Sequence, residues 1–366
     1  MSDFWEMKNT GSHSLAFITT MNSLEFSYSP QLPVLGFIIL SLCPVLHGCE
    51  SLHFTDSHFT AAEKVPVKMS VHSKGTMDGE DLDILVFRDD ATQYLECWQR
   101  VHVNEDNEVT IASMNGDKVV MACSVMADRS HEDWMWVSST SSLSDAWSDL
   151  ENEKADSPVM SGSCAFKAGS SLSEQPILTL RRLSSEIHLR SLTCDFKGRP
   201  YEGERLSDVH IYLTNVNASC RIWDDPGNAT RIINQGRLVM EDVSRFNDSS
   251  LILQHIEGTV GAASVNTDIR LRCYPNSVRE EGPGSPFTRL VIQGVLDGDV
   301  WYWPIDINRD GESSDEGIRS NCVYTYDIVL TRKGSADPDT AIKTGTASIA
   351  LEVKRWEEKE DYTVTY

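Results

Sequence analysis

Apolar residues recur at every second position along most of this chain, and no other feature restricts its fold as strongly. Successive side chains of an extended strand point to opposite faces, so a period of two sets one face against a core and leaves the other wet. The pattern predicts strands at 65–71, 82–87, 109–111, 118–123, 177–192, 209–213, 251–255, 269–273, 290–295, 324–330, 347–353 and 362–366. About a dozen strands in some 300 residues predict an all-β fold with two stacked β-sandwich domains. One short helix is expected at 142–153, where Leu143, Ala146, Trp147 and Leu150 recur at helical spacing and Ser142 or Ser144 is placed to cap.

The polar stretch Phe196-Lys197-Gly198-Arg199-Pro200 marks a domain boundary, giving an N-terminal sandwich at 65–197 and a C-terminal one at 198–366. The Gly- and Pro-bearing segment 280–286 reads as an exposed loop in the second. Ahead of both, an apolar run from Leu32 ends at Leu46-His47-Gly48-Cys49. At about 15 residues, interrupted by Pro33 and Pro44, it is short for a membrane span, which takes roughly 20. It reads instead as a secretion signal over 1–48 closed by a lipobox, with Cys49 acylated and 49–64 a polar tether. The expected product is a lipid-anchored envelope protein.

With 32 basic against 55 acidic residues, a formal charge of -23, the chain is not built to bind nucleic acid, which takes clustered Lys and Arg. Beyond Cys43 and Cys49, seven cysteines remain, scattered and with no CxxC pair. Neither a zinc site nor a disulfide framework is expected from that spacing, although one or two bridges stay open in an oxidising compartment. Asp306-Ile307-Asn308-Arg309-Asp310-Gly311 imitates the start of a calcium loop, but Gly317 stands where the closing acid belongs and Glu316 falls one short. A hairpin loop with solvated carboxylates is the expectation. No nucleophile elbow, His-Glu-x-x-His helix or phosphate-cradling loop occurs, so neither an enzyme nor a cofactor is expected. Trp134 with Trp136, and Trp301 with Trp303, are spaced to present rings on one strand face. Core packing explains such pairs, and the competing reading is a glycan-binding surface lipoprotein that does not polymerise.

Several segments, in order, resemble the fimbrillin family of the Bacteroidales, the lipoprotein-derived subunits of type V pili. They are Asp83-Ile84-Leu85-Val86-Phe87-Arg88-Asp89-Asp90, Pro158-Val159-Met160-Ser161-Gly162 and the Arg-bearing run from Leu180 to Leu189, which is similar to the strand closing that family's first domain. Leu213-Thr214-Asn215-Val216 is similar to the opening strand of its second domain. Trp301-Tyr302-Trp303-Pro304-Ile305, Ile318-Arg319-Ser320-Asn321-Cys322-Val323-Tyr324 and Val353-Lys354-Arg355-Trp356 resemble its C-terminal signature. The resemblance implies two transthyretin-like sandwiches in tandem, export as an outer-membrane lipoprotein, and assembly with other fimbrial subunits by donor-strand exchange once a surface protease removes the first strand. It also implies a host or bacterial surface ligand for the fibre. On this chain the cleavage candidate is Lys74, in the polar loop after the first strand. The donor candidates are the alternating residues Ala347, Ile349, Leu351 and Val353, and the terminal Tyr362, Val364 and Tyr366.

Overall fold

The computed structural model describes residues 64–73, 80–126, 134–169, 175–223, 231–309, 316–342, 345–355 and 362–365. The leader, Cys49, Lys74 and Tyr366 lie outside these residues. Residues 60–366 form one compact unit.

Nine strands come first: β1 (Lys64–His72), β2 (Asp81–Arg88), β3 (Leu95–His102), β4 (Glu108–Met114), β5 (Gly116–Ser124), β6 (Trp147–Asp149), β7 (Met160–Ala168), β8 (Ile177–Thr179) and β9 (Arg181–Arg182). There follow β10 (Ser185–Cys194), β11 (Leu206–Thr214), β12 (Val216–Asn217), β13 (Ser219–Arg221), β14 (Ile232–Ile233) and β15 (Leu253–Val260). The last are β16 (Val265–Cys273), β17 (Arg289–Leu296), β18 (Asp299–Asp306), β19 (Cys322–Leu330), β20 (Ala347–Arg355) and β21 (Tyr362–Thr365).

The fold is all-β, in two sandwiches. In the first, a three-stranded sheet in the order β4-β1-β8 faces a five-stranded sheet in the order β3-β2-β5-β7-β9. In the second, β16-β10-β19-β20-β21 is one sheet and β15-β11-β17-β18 the other. Alternation along β2 explains how the two are joined. Leu82, Ile84 and Val86 face the core shared with β1, whereas Leu85 and Phe87 enter a larger core that runs on through the second sandwich. A short ladder pairs Trp147–Asp149 with Ser219–Arg221 across the same junction.

Two expectations are corrected. Residues 142–153 do not form a helix: Thr140–Asp145 and Leu150–Asn152 are separate 3-10 turns flanking β6. Serine side chains compete for the local backbone, with Ser142 Oγ donating to Ser139 O at 2.6 Å and Ser144 Oγ to Ser141 O at 3.1 Å, and β6 takes a strand partner instead. Leu143, Ala146 and Leu150 are buried all the same, so the helical spacing reported core contact rather than helix. The expected single strand over 177–192 is three strands, β8, β9 and β10, in three different sheets. By strand pairing, the first group ends at Arg182, because β10 lies between β16 and β19. A bulge between Leu189 and Ser191 then throws Arg190 outward, where it pairs with Asp327 and Glu352.

Candidate assembly site around the first strand

β1 occupies the middle of its sheet. It pairs antiparallel with β4 over seven positions, Lys64↔Met114 to Ser70↔Glu108, and parallel with β8 over three, Ser70↔Ile177 to His72↔Thr179. The alternation predicted from sequence is realised: Val67, Met69 and Val71 are no more than 2% exposed, and Val65 packs at the margin of the same core. Val71 N–H donates to Asn107 O at 2.7 Å on one side, and Ser70 N–H to Pro176 O at 2.9 Å on the other. Leu180 N–H then closes on His72 O at 2.8 Å. On the wet face Lys68 forms an ion pair with Glu108. That hydrogen bond lifts the Lys68 ammonium and depresses the Glu108 carboxyl relative to their ordinary values.

Both walls of this slot are anchored by contacts that do not involve β1. On the β4 side, the amide of Gln99 bonds both backbone groups of Ala112, accepting from its N–H at 2.8 Å and donating to its carbonyl at 2.9 Å. Glu96 accepts from Met114 N–H and from Ser113 Oγ and pairs with Lys118 at 2.7 Å. On the β8 side, Gly162 of β7 lies under Thr179 so closely that a Cβ there would stand 2.1 Å from the Thr179 carbonyl oxygen. Only a residue without a side chain permits that approach. Gly162 was legible as part of a short motif, but the roles of Glu96 and Gln99 carry no sequence signal, because an edge strand with half-buried polar residues shows no alternation.

The donor candidates sit in the other sandwich. Ala347, Ile349, Leu351 and Val353 belong to β20, which pairs with β19 along all nine of its residues, and Leu351 and Val353 are buried. Tyr362 and Val364 lie in β21, the edge strand, which pairs with β20 at four positions only. β1 and these strands are not neighbours in any sheet.

Other residues singled out from the sequence serve packing. Trp134 is buried, and its indole N–H donates to Asp83 Oδ2 at 3.0 Å, a carboxylate also held by Arg100 at 2.8 and 2.9 Å. Trp303 is likewise buried, donating to Arg332 O at 3.0 Å. Each tryptophan pair therefore keeps one ring in the core, and neither forms the two-ring platform that the glycan reading requires. The carboxylate of Asp306 is not solvated as expected: it pairs with buried Arg289 at 2.7 Å, alongside Asp339 at 2.7 Å and Glu281 at 2.6 Å. Burial lifts the Asp306 carboxyl above its usual range despite that guanidinium. Asn308 turns inward to donate to Gly317 O at 2.9 Å. The seven cysteines of the described residues are free thiols, five of them buried, and burial pushes Cys164 up to about 11 and Cys194 to about 12.

No protein-family model matches the chain, and no curated protein does. Solved structures do match. A candidate cell adhesion protein from Bacteroides eggerthii DSM 20697 aligns with a TM-score of 0.60 at 14% identity, over 81% of this chain and 97% of its own. A second, from Parabacteroides distasonis ATCC 8503, gives 0.57 at 14% identity, over 82% and 99%. The fimbrilin of Porphyromonas gingivalis W83 gives 0.56 at 14% identity, over 80% and 98%. The resemblance read from the ordered sequence segments thus holds in three dimensions, and the fold of this chain is the tandem β-sandwich shared by that fimbrilin and the Bacteroidales adhesion candidates.

Proposed function

We propose that this chain is a structural subunit of a surface fimbrium, or the anchor of one, exported as a lipoprotein acylated at Cys49 and devoid of catalytic activity. The observation that carries the reading is the slot of β1: a central strand whose two walls are each held from behind by other elements. Removal of β1 would uncover Val67, Met69 and Val71 contacts worth about 1.5–3 kcal/mol each, together with two rows of backbone donors and acceptors. A strand from a neighbouring subunit supplies both kinds of partner, the main chain giving affinity and alternate side chains giving register. Of the two donor candidates, the terminal segment containing Tyr362, Val364 and Tyr366 detaches from four pairings, whereas Ala347, Ile349, Leu351 and Val353 are tied along a nine-residue ladder. The terminal segment is the less costly donor.

Cleavage is assigned to Lys74, immediately after the described end of β1. The test is sedimentation of the purified protein, intact and after Lys-specific cleavage, with partner subunits present. Intact protein is expected to remain monomeric and cleaved protein to form polymers, with a Lys74→Gln chain staying monomeric under both treatments. Identical sedimentation of cut and uncut protein overturns the mechanism. The N-terminal sequence of protein recovered from the cell surface bears on the two roles: a start at Cys49 marks an anchor or an unprocessed precursor, and a start near Gly75 marks a polymerised subunit.

A further inference from the structure

On the outer face of the second sandwich, far in sequence from the β1 slot, two histidines stand directly opposite each other. His210 of β11 and His255 of β15 are cross-strand partners, with ring centroids 4.8 Å apart and planes inclined by 58°. A bulge lies beside them. The register passes from Ser207↔Thr259 to Val209↔Ile256, so that Asp208 alone faces Glu257 and Gly258. Both Asp208 (φ 50) and Gly258 (φ 85) adopt the left-handed conformation, which residues other than Gly, Asn and Asp seldom take. The bulge shifts the alternation: Leu206, Val209 and Ile211 are all buried, while Asp208 is delivered to the outer face beside His210.

The result is a compact donor set. Asp208 Oδ1 lies 3.7 Å from His210 Nδ1 and 3.6 Å from His255 Nε2, and one ligand atom from each residue falls within 4.8 Å of the others. Four-coordinate zinc with bonds of about 2.0–2.2 Å spaces its ligand atoms roughly 3.4 Å apart, so the two carboxylate-to-imidazole distances already stand near the edge length of such a tetrahedron. His210 Nδ1 also lies 3.2 Å from Asp208 O, a hydrogen bond that needs the Nδ1 proton and is given up when that nitrogen becomes a ligand.

We propose that Asp208, His210 and His255 bind a divalent transition-metal ion of the zinc and copper class. Two imidazoles and one carboxylate select such ions over calcium or magnesium, which prefer oxygen donors throughout. Three protein ligands leave at least one coordination position open to water or to a donor from another molecule. Asp208 and His255 are exposed and His210 is half-buried, so the site needs no opening of the fold to fill.

The experiment is a titration of untagged protein with Zn²⁺ against a chromophoric chelator, paired with electron paramagnetic resonance of the Cu²⁺-loaded protein. One equivalent is expected to bind, with nitrogen couplings from two imidazoles. His210→Ala, His255→Gln and Asp208→Asn should each weaken binding by at least ~10-fold. His188→Ala, which alters a histidine paired with Asp268 on another sheet, should leave it unchanged. Circular dichroism of the three variants is expected to match the parent. The proposal is overturned if neither ion binds, or if a His210→Ala, His255→Ala double variant keeps the parent affinity, as it would with the thiols as ligands. None of these readouts depends on polymer formation.

Discussion

Gly162→Ala is the sharpest probe of how the β1 slot is built. A methyl group at this position meets the Thr179 carbonyl oxygen at 2.1 Å, its carbon at 3.0 Å and Leu180 Cδ2 at 3.2 Å. The first contact is with backbone, so no rotamer relieves it, and β8 must retreat by about 0.9 Å merely to reach 3.0 Å. Overpacking of this kind costs about 1–3 kcal/mol where β8 yields as a body. If β8 also releases bonds to β1, among them the two flanking its ladder from Ser70 N–H to Pro176 O and from Leu180 N–H to His72 O, about 1 kcal/mol more is lost for each. Urea unfolding reads the total, and hydrogen exchange by mass spectrometry locates it. Amides of 175–182 and of Ser70 should exchange faster in the variant, whereas Val71, bonded to Asn107 on the β4 side, keeps its protection. An unchanged urea midpoint together with unchanged exchange over 175–182 would refute the claim that Gly162 sets the position of that wall.

Two further predictions concern buried charge. Arg289→Met removes the guanidinium shared by the partly buried Asp306, Glu281 and Asp339, leaving Arg309 as a remaining charge near Asp306 and Glu281, and the urea midpoint should fall by the equivalent of about 1–3 kcal/mol; a fall within ~0.5 kcal/mol would show that Arg289 does not hold these carboxylates. Glu153 is fully buried, accepting from Tyr274 Oη and Ser184 Oγ, both at 2.9 Å; burial lifts its carboxyl above the ordinary value against the pull of Arg272. A raised folded value means that the unfolded chain releases its proton first. The contribution is therefore complete below the ordinary value of 4.5 and is lost as pH rises through the folded value. Glu153→Gln should remove that downward slope in stability above about pH 4.5, and parallel profiles for parent and variant would contradict it.

The strands that the sequence made visible are those with one wet and one dry face, or with both faces dry. Val67, Met69 and Val71 were readable because β1 lies on a single core, and much of β19 alternates in the same way, whereas β2 and β17, buried on both faces, were readable as short continuous apolar runs. Where half-buried polar or small residues make up the strand, neither an alternation nor an apolar run marks it. β3 lies at a sheet edge with most of its residues half-buried, and β7 is built of small residues that let β8 approach, so neither stands out as a strand. The passage from β8 through β9 to β10 keeps an apolar character while the backbone changes sheets, a switch that no local pattern records. At the site, the strand was legible and its walls were not, since Gln99 and Ala112 or Gly162 and Thr179 meet only after folding. The metal-ligand set was hidden for the same reason: His210 and His255 are 45 positions apart, joined by register rather than by spacing.

Leu85 and Phe87 share their core with Leu213, Tyr274 and Trp303, and the ladder between Trp147–Asp149 and Ser219–Arg221 crosses the same seam. Parting the two sandwiches would therefore expose apolar side chains of both and break that ladder, a cost that resists bending at the seam. In the polymer proposed above, bending would then fall to the joints between subunits.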